Sequence, residues 1–247
     1  MSGNRLTGTL PVELGLALPS LRMLWLNGNF LSGTLPSSYG QLQSMEVLLI
    51  SGNILTGSLP STLGNLYSLS DLIAFRNDFT GAIPLSYSGL SSLANMALYS
   101  NSLTGSLPVE FSRWTSLAAL SLAENDFKGS LASEFSQWTG LKTLELNGNQ
   151  FSGPLPNVYF PLLETCFIQG NEFTGHLNGI FSSSRPYNYL TNIDMSDNLF
   201  SGSIPEHMFD VTSLESIALS RNCFTGKLSA AMCNAHEVEV LSMDGLG

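Results

Sequence analysis

The chain is poor in charge, and above all in positive charge. Its 247 residues contain 9 lysines and arginines against 19 aspartates and glutamates, which gives a formal net charge of -10. Proteins that bind nucleic acid carry a basic surface patch, so this balance disfavours a nucleic-acid partner. It disfavours an anionic membrane surface for the same electrostatic reason. Because only 11% of the residues are charged, we expect a surface made mostly of serine, threonine, asparagine and glycine.

Long apolar runs are also missing. No stretch of 18 or more apolar residues occurs, so the segment is predicted to contain no membrane span. The first residues do not have the pattern of a signal peptide, which says nothing about location if the chain is a fragment. The chain begins at Met1 inside a predicted strand and ends inside another, without the polar caps that repeat proteins need. We therefore interpret it as truncated at both ends; a natural short protein whose ends are covered by a partner is the alternative.

Patterns typical of catalysis or metal binding do not occur. The three histidines, His176, His207 and His236, are far apart, and none stands at metal-ligand spacing from another histidine or a cysteine. Glu124 and Glu145 fall on neighbouring repeats, where paired carboxylates can do acid–base work, but a solvated acidic face is the favoured interpretation. We expect no enzyme activity, no cofactor and no metal in this segment, although a catalytic domain such as a kinase could lie outside it.

Cysteine is scarce, with three residues in the chain. Cys166 occupies a position that other repeats fill with leucine, which predicts a buried thiol. Cys223 and Cys233 lie ten residues apart near the end of the chain. A disulfide between them would suit an extracellular protein, but spacing alone leaves the pairing open.

What the chain has in abundance is one repeated phrase. An asparagine recurs ten times at intervals of 22 to 27 residues, most often 24. Glycine stands four residues after it in all ten copies, leucine or isoleucine six after it in all ten, and proline seven after it in seven. The repeated asparagines are Asn4, Asn29, Asn53, Asn77, Asn101, Asn125, Asn149, Asn171, Asn198 and Asn222.

Each position that recurs from repeat to repeat, called a column below, has a physical cause. Leucines alternate with other residues before the asparagine, and a period of two predicts a short strand with one face buried. The glycine permits a turn that a Cβ would disfavour. The asparagine amides are predicted to form a hydrogen-bonded ladder, because an unpaired buried polar group costs roughly 1–3 kcal/mol. A phenylalanine column two residues after the asparagine is predicted to stack in the core, and Trp114 and Trp138 also fall on a core column.

These features resemble plant-type leucine-rich repeats, whose signature is the L-[ST]-G-x-[IL]-P half of the phrase. Such repeats occur in plant receptor-kinase ectodomains and polygalacturonase-inhibitor proteins, and similar ones occur in protist surface antigens. The resemblance implies an α/β repeat solenoid: a single arc of about ten repeats over residues 1–247, with a parallel concave β-sheet and short helical, 3-10 or extended segments on the convex side. It also implies an extracellular or cell-surface location.

Outward-pointing strand positions are expected to line the concave sheet. They are apolar in the first half of the chain and acidic in the second, and a contiguous exposed apolar patch usually marks an interaction site. Tryptophan and tyrosine are frequent hot spots of binding. The predicted ligand-binding residues are Trp25, Leu49, Ile73, Phe75, Arg76, Tyr99, Glu124 and Glu145.

The sequence thus predicts a non-catalytic recognition scaffold. It would be a fragment of an extracellular receptor-like or cell-surface protein that binds a peptide, protein or glycan on its concave face. Two alternatives stay open: a structural surface-coat or adhesion spacer, and an inhibitor of a secreted glycosidase. The sequence indicates no oligomeric state.

Overall fold

Two parallel β-sheets of ten strands each form the framework of the protein. The computed structural model describes residues 4–177, 181 and 187–245, so the predicted strand at Met1 lies outside the described residues. Even-numbered strands form one sheet and odd-numbered strands the other, in chain order, so each repeat contributes one strand to each sheet. This open parallel arrangement confirms the predicted solenoid.

The first sheet lines the concave side. Its strands are three residues long and in register, so that Leu24 lies beside Leu48 and Leu48 beside Leu72. The central residue of each strand faces the core and its two neighbours face outward. The strands are β2 Met23–Trp25, β4 Val47–Leu49, β6 Asp71–Ile73, β8 Asn95–Ala97, β10 Ala119–Ser121, β12 Thr143–Glu145, β14 Thr165–Phe167, β16 Asn192–Asp194, β18 Ser216–Ala218 and β20 Val240–Ser242.

The second sheet follows each repeated asparagine. A glycine in nine of these strands, and just after the tenth, has a positive φ, such as 76° at Gly33, where an added Cβ would lie 2.9 Å from the Thr9 Cγ2 atom. Glycine is therefore required both for the turn and for the close approach of the preceding repeat. The strands are β1 Thr7–Thr9, β3 Phe30–Thr34, β5 Ile54–Ser58, β7 Asp78–Gly81, β9 Ser102–Gly105, β11 Asp126–Gly129, β13 Gln150–Pro154, β15 Glu172–Gly175, β17 Leu199–Gly202 and β19 Cys223–Phe224.

Short helical segments form the convex side. The first is the α-helix α1, Leu14–Ala17, and the others are single 3-10 turns. Most of these turns follow a proline in extended conformation, such as Pro36 with φ -66° and ψ 137°, which presets the path of the chain. The 3-10 helices are Ser37–Gln41, Ser61–Asn65, Leu85–Gly89, Val109–Arg113, Ser133–Gln137, Glu206–Asp210 and Ala230–Asn234. In the described residues, no helix has the length and apolar character that a membrane span requires.

The predicted asparagine ladder is confirmed. The Asn53 Nδ2 group donates to the Leu26 carbonyl at 3.1 Å and to the Ile50 carbonyl at 3.0 Å. The Asn53 Oδ1 atom accepts from the Leu31 N–H at 3.0 Å. Each ladder amide therefore joins its own turn to the preceding repeat, which satisfies buried backbone groups that no sheet bond reaches.

The phenylalanines that follow the ladder asparagines stack in the core, as the periodicity predicted. Phe127, Phe151, Phe173, Phe200 and Phe224 stack in sequence, with centroids 6.1 to 6.4 Å apart. Together these rings form one continuous buried row through the second half of the chain.

Both core tryptophans are buried, as predicted. The Trp114 Nε1–H donates to the Tyr87 carbonyl at 2.8 Å, and the Trp138 Nε1–H donates to the Phe111 carbonyl at 3.0 Å. Each indole therefore fills the core while its N–H group is satisfied by the preceding repeat. Their burial removes them from the set of recognition residues.

The cysteines give one confirmation and one correction. Cys166 is buried, and this burial raises the pKa of its thiol to about 12. Cys223 and Cys233 are both exposed free thiols, so the structure does not contain the disulfide considered from the sequence. The two residues lie on different elements, the second sheet and the last 3-10 helix, which a ten-residue separation in the chain did not reveal.

Candidate functional site

An apolar row crosses the first strands of the concave sheet. Trp25 lies beside Leu49, Leu49 beside Ile73, and Ile73 beside Ala97. The Trp25 side chain is 51% exposed, whereas Leu49 and Ile73 are half-buried by their neighbours. The row ends at the small side chain of Ala97. These three predicted residues therefore form a separate group from the others.

The next feature is an aromatic shelf made by Phe75 and Tyr99. Their ring centroids are 4.3 Å apart and their planes differ by 9°, so the rings stack face to face. Both residues stand two positions before a ladder asparagine, and this equivalence places them side by side in adjacent repeats. The shelf presents an apolar surface at the edge of the concave strands.

A left-handed backbone position lies beside this shelf. The residue directly before a ladder asparagine has a positive φ, and glycine fills it at Gly28, Gly52, Gly148 and Gly170. Other repeats place a side chain there, with φ values of 51° to 53°, although this conformation costs an L-residue roughly 1–2 kcal/mol. These residues are Arg76, Ser100, Glu124, Asp197 and Arg221. The first three belong to consecutive repeats, so three non-glycine residues with a left-handed backbone lie side by side.

That cluster forms the rim of an open pocket of about 350 Å³ on the concave face. The structure brings four predicted residues together here, and the fifth, Phe75, adjoins them through its stack with Tyr99. The pocket is lined by Arg76, Tyr99, Ser100, Ala123, Glu124, Glu145, Asn147, Phe167 and Gln169. Its walls thus combine two aromatic rings, two carboxylates, one guanidinium and two amides.

Hydroxyl groups orient both carboxylates of the pocket. The Ser100 hydroxyl donates to Glu124 Oε2 at 2.5 Å, and the Ser121 hydroxyl donates to Glu145 Oε2 at 2.6 Å. Each bond runs from one repeat to the next. The two carboxylates are therefore held as acceptors with further lone pairs available to a ligand.

The electrostatic environment of Tyr99 reflects this arrangement. Burial raises the pKa of its phenol above the usual value. The Arg76 guanidinium opposes that rise, whereas the carboxylates of Glu145 and Glu124 add to it. The phenol hydroxyl of Tyr99 can donate a hydrogen bond to a ligand.

Sequence reasoning did not select five of the lining residues. Four of them, Ala123, Asn147, Phe167 and Gln169, stand at outward-pointing positions, which the same periodicity identifies. Ser100 carried a different signal, since it replaces the glycine found in several other repeats. The Gln169 Oε1 atom is buried and has no hydrogen-bond partner among the described residues.

The described residues contain no group of three or more histidine, cysteine, aspartate or glutamate side chains that could hold a metal ion. The pocket surrounds an open volume with hydrogen-bond donors, acceptors and apolar faces.

The sequence and the fold are both similar to those of known repeat proteins. The family model for the Leucine Rich Repeat matches residues 20–42, 44–66, 140–161 and 189–210. No curated protein matches the sequence. The matched segments are leucine-rich repeats, and the fold is similar to the leucine-rich-repeat ectodomain of a plant receptor kinase.

The structure is similar to a TDR receptor, with 33% identity and a TM-score of 0.93 over 98% of this chain and 42% of that one. It is similar to the Arabidopsis receptor kinase HAESA, solved with the peptide hormone IDA and the co-receptor SERK1, with 29% identity and a TM-score of 0.86 over 98% of this chain and 44% of that one. The chain spans less than half the length of both receptors. A plant ice-binding protein matches with 25% identity and a TM-score of 0.84, over 99% of this chain and 79% of that one.

Proposed function

We propose that this segment is a non-catalytic recognition scaffold that binds a peptide, or a peptide segment of a protein, on its concave face outside the cell. The observation that carries the proposal is the pocket rim, where Arg76, Ser100 and Glu124 occupy left-handed positions in consecutive repeats. Glycine would suit this backbone better, so folding does not account for the three side chains. The receptors with which the fold is shared, one of them solved with a peptide hormone, support the same assignment.

In this proposal, the ligand is bound by side chains that a rigid backbone holds in place. The shelf of Phe75 and Tyr99 takes an apolar side chain of the ligand, and the polar groups of the pocket fix its orientation. The apolar row from Trp25 to Ile73 extends the contact toward the first repeats. Because every strand is held by the asparagine ladder and the core, little conformational entropy is lost when the ligand binds.

A peptide-display selection tests the proposal. A random dodecapeptide library is selected on the purified protein, and recovered peptides are measured against Tyr99→Ala, Phe167→Ala and the control Tyr67→Ala, whose exposed side chain lies outside the pocket. We expect the two pocket variants to weaken binding at least about tenfold, and the control to leave it unchanged. Peptides that bind equally well to all variants would contradict a concave site. A glycan array run in parallel distinguishes a sugar ligand, and a complete lack of ligands would favour the structural spacer.

A second candidate function rests on the exposed face of the other sheet. Three residues after the ladder asparagine, nine of the ten repeats carry serine or threonine. Neighbouring strands place hydroxyls side by side, with Thr34 beside Thr56 and Ser58 beside Thr80. A regular hydroxyl array orders water, and the similarity to a plant ice-binding protein supports ice as the ligand of this candidate function.

An ice recrystallisation assay tests this candidate separately. We expect the double variant Thr34→Lys/Thr56→Lys to abolish any inhibition of recrystallisation, because two charged side chains would disrupt the hydroxyl array. Tyr99→Ala lies on the concave side and should leave the activity intact. An inactive wild-type protein would exclude this candidate without bearing on the peptide site.

A further inference from the structure

We infer that the concave pocket selects ligands by a basic side chain, a lysine or arginine of the bound peptide, seated between Glu124 and Glu145. This inference rests on the proposed function and specifies the ligand of the same site. Both carboxylates line the pocket, and they belong to adjacent repeats. Glu145 pairs in register with Ser121, and Glu124 follows that serine by three residues, so the two carboxylates border the same open volume.

Some surface carboxylates are paired with a cation. Glu46 pairs with Arg22, Glu164 with Lys142, and Asp197 with Arg221, in each case between neighbouring repeats. Among the described residues, neither Glu124 nor Glu145 has a cation within ion-pair distance. Each instead accepts a serine hydroxyl, which orients the carboxylate without neutralising it.

Two further groups of the pocket suit a basic side chain. The Gln169 Oε1 atom is a buried acceptor without a partner in the described part of the chain, and an amide oxygen left in that state costs free energy until a donor reaches it. The rings of Tyr99 and Phe167 line the same pocket. Aromatic faces pack against the methylene stem of lysine or arginine and attract its charged end.

The order of the strands places opposite charges at the two ends of the pocket. Arg76 follows β6, whereas Glu124, Glu145 and Gln169 follow or end the later strands β10, β12 and β14. The guanidinium repels a second cation at its own end of the pocket. The basic side chain of the ligand is therefore seated toward Phe167.

Selection by charge is tested with the same dodecapeptide library. It is selected in parallel on the wild type, on Glu124→Gln/Glu145→Gln, and on the control Glu110→Gln/Glu134→Gln. The control removes two carboxylates from neighbouring 3-10 helices of the convex side. Circular dichroism melts establish that all three proteins fold. We expect lysine and arginine to be enriched among peptides from the wild type and the control, and this enrichment to disappear with the pocket variant.

Individual peptides then separate the possible sources of the charge. A recovered peptide with an acetylated N-terminus should keep its affinity, whereas lysine or arginine to norleucine within it should weaken binding at least about tenfold. Loss of affinity on acetylation alone would overturn the inference in favour of the N-terminal amine. Tyr99-dependent peptides without basic enrichment would also overturn it, yet leave the proposed function standing. Failure to recover any Tyr99-dependent peptide would overturn both.

Discussion

Ser100 and Glu124 occupy the same position of adjacent repeats, both with a left-handed backbone, and the serine hydroxyl donates to the Glu124 carboxylate at 2.5 Å. Their φ values are both 53°, a conformation in which glycine avoids the steric cost of a Cβ. The fold therefore tolerates these side chains rather than requiring them. The effect of these side chains on stability and their effect on ligand binding can therefore be measured separately.

Glycine substitutions at the rim should leave stability intact and remove binding. For Arg76→Gly and Glu124→Gly we expect a change in the free energy of unfolding of less than about 1 kcal/mol, because relief of the left-handed conformation offsets the added freedom of the unfolded chain. Peptides selected on the wild type should lose affinity. Denaturant melts and peptide titrations check the two parts, and Arg221→Gly, at φ 51° outside the pocket, is the matched control. A loss of stability of several kcal/mol would show that the rim side chains support the fold.

The periodicity of the sequence explains how much of the fold and of the pocket could be predicted. Asn53, Phe151 and Trp114 occupy columns that recur every repeat, so the solenoid, the ladder and the buried aromatic row followed from the sequence. The predicted set also included four of the pocket residues, since outward columns can be read in the same way. Ser100 was missed, although it replaces the glycine of other repeats, because the hydrogen bond from its hydroxyl to Glu124 is visible only in the structure. The unpartnered state of Gln169 depends on side-chain packing, which no column reports.

The two buried tyrosines of the convex side should respond in opposite directions to loss of their hydroxyls. The Tyr39 hydroxyl is buried without a partner among the described residues, whereas the Tyr87 hydroxyl donates to the Pro60 carbonyl at 3.3 Å. Tyr39→Phe should therefore raise the free energy of unfolding by about 1 kcal/mol, and Tyr87→Phe should lower it by about 0.5–1.5 kcal/mol. Chemical denaturation of the two variants measures both signs. Equal destabilisation would indicate that an ordered water satisfies Tyr39.

Thiol reactivity distinguishes the three cysteines. Burial holds the pKa of the Cys166 thiol at about 12, so almost no thiolate forms near pH 8, and the side chain is also inaccessible. Cys223 and Cys233 are exposed. Titration of the native protein with a coloured disulfide reagent should therefore show two rapidly reacting thiols, and a third after unfolding. Fewer than two rapid thiols in protein purified without reductant would indicate that Cys223 and Cys233 are bonded to each other.

The asparagine ladder gives the strongest prediction for stability. The Asn125 Oδ1 atom accepts from the Leu103 N–H at 2.9 Å, while its Nδ2 group donates to the Leu98 carbonyl at 3.0 Å and the Leu122 carbonyl at 3.2 Å. Asn125→Leu fills the site but leaves these buried backbone groups unpaired, at roughly 1–3 kcal/mol for each group that water cannot reach.

Asn125→Asp tests the two halves of the amide separately. Aspartate keeps the acceptor for the Leu103 N–H but replaces the donor with an oxygen that faces the Leu98 and Leu122 carbonyls. We expect both substitutions to destabilise the protein by at least about 1 kcal/mol, and the aspartate variant to recover part of the loss at low pH, where a protonated carboxyl can donate again. Thermal melts between neutral and acidic pH, each referred to the wild type at the same pH, measure this recovery. An unchanged melting temperature for Asn125→Leu would mean that the ladder contributes nothing to stability, and the repeats would then be held together by the leucine and phenylalanine core alone.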